Sequence, residues 1–433
     1  MISEKYRIME YPKVLVISNN SFSLSSSNGR TLGLLFKGWP KDKLAQFCIT
    51  TDGPDWDICD NYFCVSDFQV MKRTLTLRGV KRNDLTEYQT LTSVPKTKRI
   101  KRTPIKSLVR HFIWRLGIWR KGDFNKWVAA YSPEIVIIQS GDTAFTHDLA
   151  RGIANKYQAK LVFFNTEGIY FLKKNYLYEG FCDSIFFPLY HYIYKHSYQR
   201  AMQNASYAFY LNDLIKKDND SVFDVPGKVI YNTSELSPIP FKFNQDAPVI
   251  SYFGNFGYDR SKVLVEVADV IKNMGFNIKI HVYGKGFPEI EDRLRSCDGI
   301  AFHGFVPYDR IKDVINESDI VLHIESQDEK YAESLRYGFS TKIADCLSSG
   351  RPFLLYASRN IACAQYLIKN DCAWFADTTD SLKKTILLII NNGKMRDRKL
   401  AKAKEIAANN HSIKKNSELF QKHLLSVAVL KCQ

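Results

Sequence analysis

The sequence predicts an α/β protein with two Rossmann-like domains, each a doubly wound parallel sheet, that face each other across a cleft. Short β-branched runs alternate with helical segments along most of the chain. Polar loops follow several of these runs, at the strand ends where such sheets bind ligands. A length of 433 residues exceeds one ordinary core, and a proline-containing segment without periodicity divides the chain.

The first half begins with the predicted strand KVLVIS (13–18), which is followed by the polar loop NNSFSLSSSNGRT and a helix at LGLLF. Further strands are predicted at 133–139, 160–165 and 207–212. A helical segment, THDLARGIANKY, lies between the first two of them. This alternation is typical of a parallel sheet covered by helices.

The second half repeats the alternation after a segment, 228–248, that contains three prolines. We therefore expect an N-terminal domain at 1–232, a linker at 233–247 and a C-terminal domain at 248–412. A closing helix at 413–433 is expected to pack back on the N-terminal domain.

The charge balance of 61 Lys and Arg against 45 Asp and Glu, a net +16, predicts an acidic partner. Nucleic acid, an anionic membrane surface and a phosphorylated small molecule all fit this charge. The nine cysteines include no Cys-x-x-Cys pair, which indicates reduced cytosolic thiols with neither a disulfide framework nor a zinc site. Because neither a signal peptide nor an apolar run of about 18 residues occurs, we expect a cytoplasmic protein with at most peripheral membrane contact.

The stretch SLRYGFSTKIADCLSSGRPFLLY (334–356) concentrates polar groups at a predicted helix start. If Ser340 or Thr341 caps the helix, its free N–H groups and Lys342 form an anion site suited to a phosphate. Asp345 shares a helix face with Lys342 and could accept hydrogen bonds from a diol such as a ribose. An ordinary capped amphipathic helix with a solvated Asp345 is the alternative.

This stretch resembles the donor-site motif of GT-B glycosyltransferases of the family 4, or group 1, type. Tyr337-Gly338-Phe339 stands in place of the family's Glu-Gly-Phe, Asp345 in place of its second Glu, and Gly350-Arg351-Pro352 in place of its Gly-x-Pro turn. The resemblance implies that Asp345 binds the nucleotide ribose. Tyr337 departs from the sugar-facing Glu. Glu325 and Glu333 share the motif's spacing but precede the helix, and they are not assigned its role.

SYFGNFGYDRSK (251–262) resembles the family's first strand and loop of the donor domain, with Asn255 in place of a usual Arg and Arg260 in place of a usual Lys. We expect Arg260 and Lys342 to stabilise the leaving diphosphate. A solvated turn cation is the alternative for Arg260. VYGKGFPE and HGFV correspond to segments beside the base, and the lone Gly-x-Gly lacks the third glycine of a nicotinamide site.

Two N-terminal segments extend the expected site. Asn28-Gly29-Arg30 could approach the diphosphate from across the cleft, and Glu167 is the candidate for orienting a hydroxyl, with an ordinary turn carboxylate as the alternative. The residues expected to be catalytic are Arg260, Lys342 and Glu167. The residues expected around the donor are Gly29, Gly254, Asn255, Gly284, Phe305, Val306, Tyr337, Gly338, Phe339, Ser340, Thr341 and Asp345.

The segment 96–121 contains ten Lys and Arg, no acid, and interleaved large apolar residues. Part of it can form a helix with an apolar stripe and a basic flank, suited to an anionic membrane surface. The aromatic cluster at 185–200 could join this surface or belong to a core. A solvated face is the alternative, and nucleic-acid binding is less favoured because no binding motif accompanies the charge. The expected membrane contacts are Lys98, Arg99, Lys101, Arg102, Trp114 and Trp119.

The resemblance implies an N-terminal acceptor domain, a C-terminal donor domain and transfer of a sugar from a nucleotide-sugar to a lipid-linked glycan in cell-surface polysaccharide synthesis. It implies a retaining reaction with no metal and no cofactor beyond the nucleotide-sugar substrate; no Asp-x-Asp in strand context occurs. The expected location is the inner face of the cell membrane. The alternatives are a GT-B sugar-nucleotide hydrolase or epimerase and, in another class, a basic nucleic-acid-binding protein.

Overall fold

The computed structural model describes residues 11–23, 27–50, 53–82, 102–177, 180 and 182–429. The chain forms two compact units, which are described separately. The first contains the described residues up to Ile230 together with those from Ser417, and the second is Tyr231–Asn416.

The first unit is a parallel sheet with helices on both faces. Its elements in chain order are β1 (Val14–Asn20), α1 (Ser27–Leu35), β2 (Leu44–Thr50), β3 (Tyr62–Cys64), α2 (Asp67–Leu75), α3 (Pro104–Leu116), α4 (Asp123–Tyr131), β4 (Ile135–Ser140), α5 (Ala144–Tyr157), β5 (Lys160–Asn165), α6 (Asp183–Met202), β6 (Ala205–Tyr210), α7 (Asp213–Asp220) and β7 (Gly227–Val229).

The second unit repeats the pattern with six strands. Its elements are β8 (Ile250–Phe253), α8 (Arg260–Asn273), β9 (Ile280–Tyr283), α9 (Pro288–Arg295), β10 (Ile300–Gly304), α10 (Ile311–Asn316), β11 (Ile320–Ile324), α11 (Ala332–Arg336), α12 (Lys342–Ser348), β12 (Phe353–Tyr356), α13 (Ala362–Asn370), β13 (Trp374–Ala376), α14 (Thr379–Asn391), α15 (Gly393–Asn410) and α16 (Ile413–Val429), which continues into the first unit.

Strand order places one ligand-binding position in each sheet. The first sheet has the order β3-β2-β1-β4-β5-β6-β7 and the second β10-β9-β8-β11-β12-β13, and their strand pairs are parallel. The predicted doubly wound fold is therefore confirmed in each unit. The order reverses between β1 and β4 and between β8 and β11, and ligands of such sheets bind beyond the carboxyl ends of the strands at this reversal.

Trp114 and Trp119 lie in the core of the first unit, with 3% and 1% of their surface exposed. The ring of Trp119 stacks on Phe47 at 5.5 Å between centroids, and that of Trp114 on Phe145 at 4.5 Å. The Trp114 indole N–H also donates to Asp67 Oδ1 at 2.7 Å. The prediction that these two tryptophans contact a membrane is wrong, because packing on neighbouring aromatic rings buries them.

The remaining predicted membrane contacts lie at the start of the same segment. Lys98, Arg99 and Lys101 fall outside the described residues. Arg102 is exposed and forms an ion pair with Asp142. None of the described helices is both long and apolar enough to cross a bilayer.

Cys48 and Cys64 are joined by a disulfide, although the sequence pattern predicts reduced thiols. The two residues face each other in register on the adjacent strands β2 and β3. Their separation of 16 residues in the chain carries no pairing motif. Only strand pairing brings the two sulfur atoms together.

Helix α16 completes the core of the first unit. The ring of Phe420 is fully buried and lies 5.1 Å from Phe36 and 4.7 Å from Phe209, measured between centroids. Leu424 and Val427 are buried in the same cluster. The end of the chain therefore supplies apolar surface without which this face of the sheet would be open to water.

We predict that Phe420→Ala lowers the unfolding free energy of the first unit by about 3–5 kcal/mol, because it leaves a cavity among aromatic rings. Urea unfolding followed by tryptophan fluorescence reports mainly on this unit, because five of the six tryptophans, Trp39, Trp56, Trp114, Trp119 and Trp127, lie in it. Val429→Ala on the same helix is the control, since Val429 is 68% exposed. Equal effects of the two substitutions would contradict the packing described.

Candidate active site

The loop after β8 lies at the reversal of strand order in the second sheet. Tyr258 and Asp259, next to α8, both have φ of 57°, in the left-handed region. This conformation costs a residue other than glycine roughly 1–2 kcal/mol. Such outliers cluster at functional sites, where the surrounding structure holds them in place.

Arg260, the first residue of α8, is held by a buried carboxylate. Its Nε and Nη2 donate to Glu325 Oε2 at 2.9 and 2.6 Å, and its Nη1 donates to Asn255 Oδ1 at 2.7 Å. Both side chains of the ion pair are nearly inaccessible to solvent, at 11% and 7% exposure. The reading of Arg260 as a solvated turn cation is therefore wrong.

Glu325 follows β11 and stays ionised in this setting. Burial alone would raise the pKa of its carboxyl, but His323 and Arg260 bring that pKa below its usual value. Nε2 of His323 lies 3.2 Å from Glu325 Oε1. Burial lowers the pKa of His323, so the imidazole is neutral and adds no second positive charge.

Lys342 places an ammonium group over the backbone of Gly254. A Cβ added to Gly254 would lie 2.5 Å from Lys342 Nζ, so only a glycine leaves room for the ammonium in this position. Desolvation, reinforced by the positive charge of Arg260, lowers the pKa of Lys342 to about 8. Among the described contacts, no hydrogen bond or ion pair occupies this ammonium, in contrast to the guanidinium of Arg260.

Gly284 and Phe305 extend the site along the same sheet edge. A Cβ on Gly284 would approach the carbonyl oxygen of Gly254 to 2.1 Å, so the ends of β8 and β9 can meet only at a glycine. Phe305, beyond β10, is 68% exposed, and Val306 is half-buried. The exposed ring can stack on a planar group at this edge.

The expected helix start differs in detail from the structure. Helix α12 begins at Lys342 and spans only seven residues, and the side chain of Thr341 makes no capping hydrogen bond. Ser340 Oγ accepts a hydrogen bond from the Lys342 N–H at 3.4 Å. The cap predicted at Ser340 or Thr341 is therefore weak, and the positive charge of this turn comes mainly from Lys342.

Asp345 is buried, so the alternative of a solvated carboxylate is wrong. Its Oδ1 accepts hydrogen bonds from Ser234 Oγ at 2.7 Å and from the Tyr308 hydroxyl at 3.0 Å. Both hydroxyls come from segments more than 30 residues away in the chain. The role of Asp345 towards a ribose stays a prediction.

The aromatic residues before α12 pack inward. Tyr337 and Phe339 are each 6% exposed, and Gly338 turns the chain between them by donating to the Leu335 carbonyl at 2.8 Å. The ring of Phe339 lies 5.5 Å from that of Tyr231. Tyr337 thus replaces the acid of the motif with a buried ring, and no carboxylate stands at this position.

Two candidate site residues, Gly29 and Glu167, lie in the first unit, and the position of Gly29 differs from the predicted one. Gly29 lies within α1, not in a loop, and a Cβ there would approach Ser21 O to 2.1 Å. Glycine is needed at this position for close packing of the helix on the segment after β1. Glu167 lies at a turn after β5, where its side chain is accessible to solvent but is surrounded by enough protein that reduced hydration, together with the charge of Asp142, raises the pKa of its carboxyl.

Comparison with known structures supports the fold along nearly the whole chain. HepE from Anabaena, solved in complex with UDP and glucose, is 11% identical, with a TM-score of 0.61 over 96% of this chain and 100% of that one. The lipopolysaccharide outer core galactosyltransferase WaaB is 14% identical, with a TM-score of 0.55 over 97% and 99%. A putative UDP-N-acetylglucosamine 2-epimerase from Listeria monocytogenes is 11% identical, with a TM-score of 0.52 over 94% of each chain.

The sequence itself matches a family model described as glycosyl transferase-like over residues 260–422. The solved structures show the fold of the chain, and this match shows a similarity to glycosyl transferase-like sequences over the matched segment. The matched segment begins at Arg260 and includes Glu325 and Lys342. A search of curated proteins found no match.

Sequence reasoning missed the ion pair of Glu325 with Arg260. The spacing of Glu325 and Glu333 matches that of the family motif, but Glu325 precedes the helix, so the motif predicts no role for it. A usable signal was its position directly after the buried strand DIVLHI, whose carboxyl end lies beside that of β8. The place of His323, two residues before Glu325, in this site also could not be predicted, because it depends on the order of the strands in the sheet.

We predict that Glu325→Gln lowers the unfolding free energy of the protein by about 3–5 kcal/mol at neutral pH, because it leaves Arg260 buried without a counter-charge. Urea unfolding followed by circular dichroism measures this difference. Glu317→Gln, at an exposed position, is the matched control.

The pH dependence of the same variant gives a second check. Since the pKa of Glu325 is lower in the folded state, its contribution is present above its ordinary value of 4.5 and is lost as the pH falls through the folded-state value. The difference between wild type and Glu325→Gln should therefore shrink in acid below 4.5. A difference that does not change with pH would contradict an ionised Glu325.

Proposed function

We propose that the protein is a glycosyltransferase that moves a sugar from a nucleotide-sugar donor to a lipid-linked glycan in cell-surface polysaccharide synthesis. We further propose that the reaction retains anomeric configuration and needs neither a metal ion nor another cofactor. The enzyme would act in the cytoplasm at the inner face of the cell membrane. Two of the compared proteins bear on this: HepE is solved with UDP and glucose, and WaaB is described as a lipopolysaccharide galactosyltransferase.

The ammonium of Lys342 over Gly254 is the observation that carries the donor proposal. It supplies a desolvated positive charge beside Arg260, at the sheet edge where nucleotides bind to this class of fold. A nucleoside diphosphate leaves with its negative charge, which such preorganised cations stabilise. In this proposal Lys342 contacts the diphosphate directly, while Arg260, held by Glu325 and Asn255, adds to the positive potential.

The other proposed contacts to the donor lie near the same edge of the second sheet, at the carboxyl ends of its strands. We propose that the base lies beside Gly284 and stacks on Phe305, whose exposed ring suits a planar ligand. Asp345 would face the ribose, with Ser234 and Tyr308 orienting its carboxylate. Glu167 in the first unit would orient an acceptor hydroxyl, since its raised pKa permits it to hold or accept a proton near neutral pH.

We predict that at least one of UDP, GDP, ADP and CMP raises the melting temperature of the wild-type enzyme, since a ligand at 100 times its Kd adds about 2.7 kcal/mol to the native state. Lys342→Ala should abolish this rise because it removes the cation that contacts the diphosphate. Lys272→Ala is the matched control, as that side chain is 66% exposed. No response of the wild type to any of the nucleotides would overturn the donor proposal.

The pH profile of nucleotide binding tests whether the ammonium of Lys342 contacts the diphosphate. Because the pKa of Lys342 is lowered to about 8, nucleotide affinity should decline above that pH, by up to about tenfold per pH unit. Lys342→Ala should show no such decline. A wild-type profile that stays flat between pH ~7 and ~9 would exclude direct contact of a titrating Lys342 with the diphosphate.

Product analysis separates transfer from the alternatives. We predict that the enzyme, given the nucleotide-sugar of the responding nucleotide and a lipid extract that contains glycan acceptors, moves the sugar into the lipid fraction with unchanged anomeric configuration. EDTA should not reduce the rate. Free sugar released without an acceptor would instead show a hydrolase, and a changed sugar still attached to the nucleotide would show an epimerase.

A further inference from the structure

Three helices of the first unit expose apolar stripes. The exposed apolar residues on each helix are three to four positions apart, so they form one stripe per helix. They are Phe68, Met71 and Leu75 on α2, Ile105, Val109, Phe112 and Leu116 on α3, and Ile185, Leu189 and Tyr192 on α6. We call these ten residues the apolar face.

Helix α3 adjoins both of the other helices, so the three stripes lie on neighbouring helices of one layer. Helix α3 packs against both α2 and α6. Arg110 Nε of α3 donates to Asp67 Oδ1 of α2 at 2.7 Å, which ties the two helices together. The opposite side of α3, with Leu108, His111 and Trp114, is buried in the core. The stripe at Phe112 therefore points away from the core.

Exposed apolar patches of this kind are rare on monomeric soluble proteins unless they bind something. Phe112 is 53% exposed and Leu116 64%, and the described residues include nothing that covers them. These residues belong to a helix with defined ends, because α3 has Pro104 in its first turn and Gly117 at its end.

The charges on or beside α2 and α3 are almost all positive. Lys72, Arg78, Lys106 and Arg115 are exposed on or beside α2 and α3. Asp67 is the one acid in the sequences of α2 and α3, and Arg110 neutralises it. A basic rim around an apolar stripe complements a bilayer that offers anionic phosphate above hydrocarbon.

We propose that the apolar face docks the enzyme on an anionic lipid bilayer, with the apolar side chains below the headgroups and the rim cations on the lipid phosphates. This surface uses the two segments in which the sequence predicts a membrane contact, 96–121 and 185–200, but without Trp114 and Trp119, which lie in the core. The inference rests on the proposed function in one respect: a lipid-linked acceptor would be met at this surface.

The test is co-sedimentation of the full chain with vesicles of phosphatidylcholine with and without phosphatidylglycerol. Wild type should bind the mixed vesicles, more weakly at high salt, and Phe112→Glu should weaken that binding about tenfold because it places a charge below the headgroups. Val222→Glu is the control, since Val222 is equally exposed at 50% in the same unit and lies outside the three helices. It adds the same charge and should leave binding unchanged within about twofold.

Each other outcome overturns the proposal. Equal loss in both variants would mean that net charge alone acts, and equal binding to neutral vesicles would remove the role of the rim cations. Loss of a dimer in Phe112→Glu by light scattering, without wild-type vesicle binding, would make the face a protein interface. An unchanged melting temperature shows that the variant folds. Nucleotide binding measured in the same samples distinguishes the proposed function from the proposed bilayer docking. A protein that binds nucleotide but no vesicle contradicts the docking and leaves the proposed function standing.

Discussion

The ion pair between Arg260 and Glu325 is the interaction on which the candidate donor site depends. Two cations, Arg260 and Lys342, lie close enough that the first lowers the pKa of the second. Together in a desolvated site they would repel each other, and Glu325 offsets one of the two charges. Glu325 is paired with Arg260 and His323 is neutral, so the ammonium of Lys342 is left to meet a ligand.

The same ion pair also holds the loop that follows β8. Arg260 reaches Glu325 on one side and Asn255 on the other, and so joins the ends of β8 and β11 where the strand order reverses. These contacts offset the energetic cost of the left-handed backbone at Tyr258 and Asp259, because they hold the loop in one conformation. A buried pair of this kind is weak evidence for stability, but it positions a charge with little freedom to reorganise.

In the first unit, helix α3 shows how one amphipathic segment serves two surfaces. Its inner side places Trp114 on Phe145, and its outer side carries the stripe from Ile105 to Leu116. The sequence indicates that the segment is basic and amphipathic. It could not indicate which large residues lie inside, because aromatic residues serve equally well in a core and at a membrane interface.

The sequence by itself determined the alternation of strands and helices, the parallel sheets and the local group from Tyr337 to Asp345, because hydrophobic period and helix spacing are properties of short segments. Tertiary structure alone decided which side chains meet. Arg260 and Glu325 are 65 positions apart, Ser234 and Asp345 are 111, and Cys48 faces Cys64 only because β2 pairs with β3. Their contacts depend on strand order and register, which are set by the packing of whole elements and not by the spacing of residues along the chain.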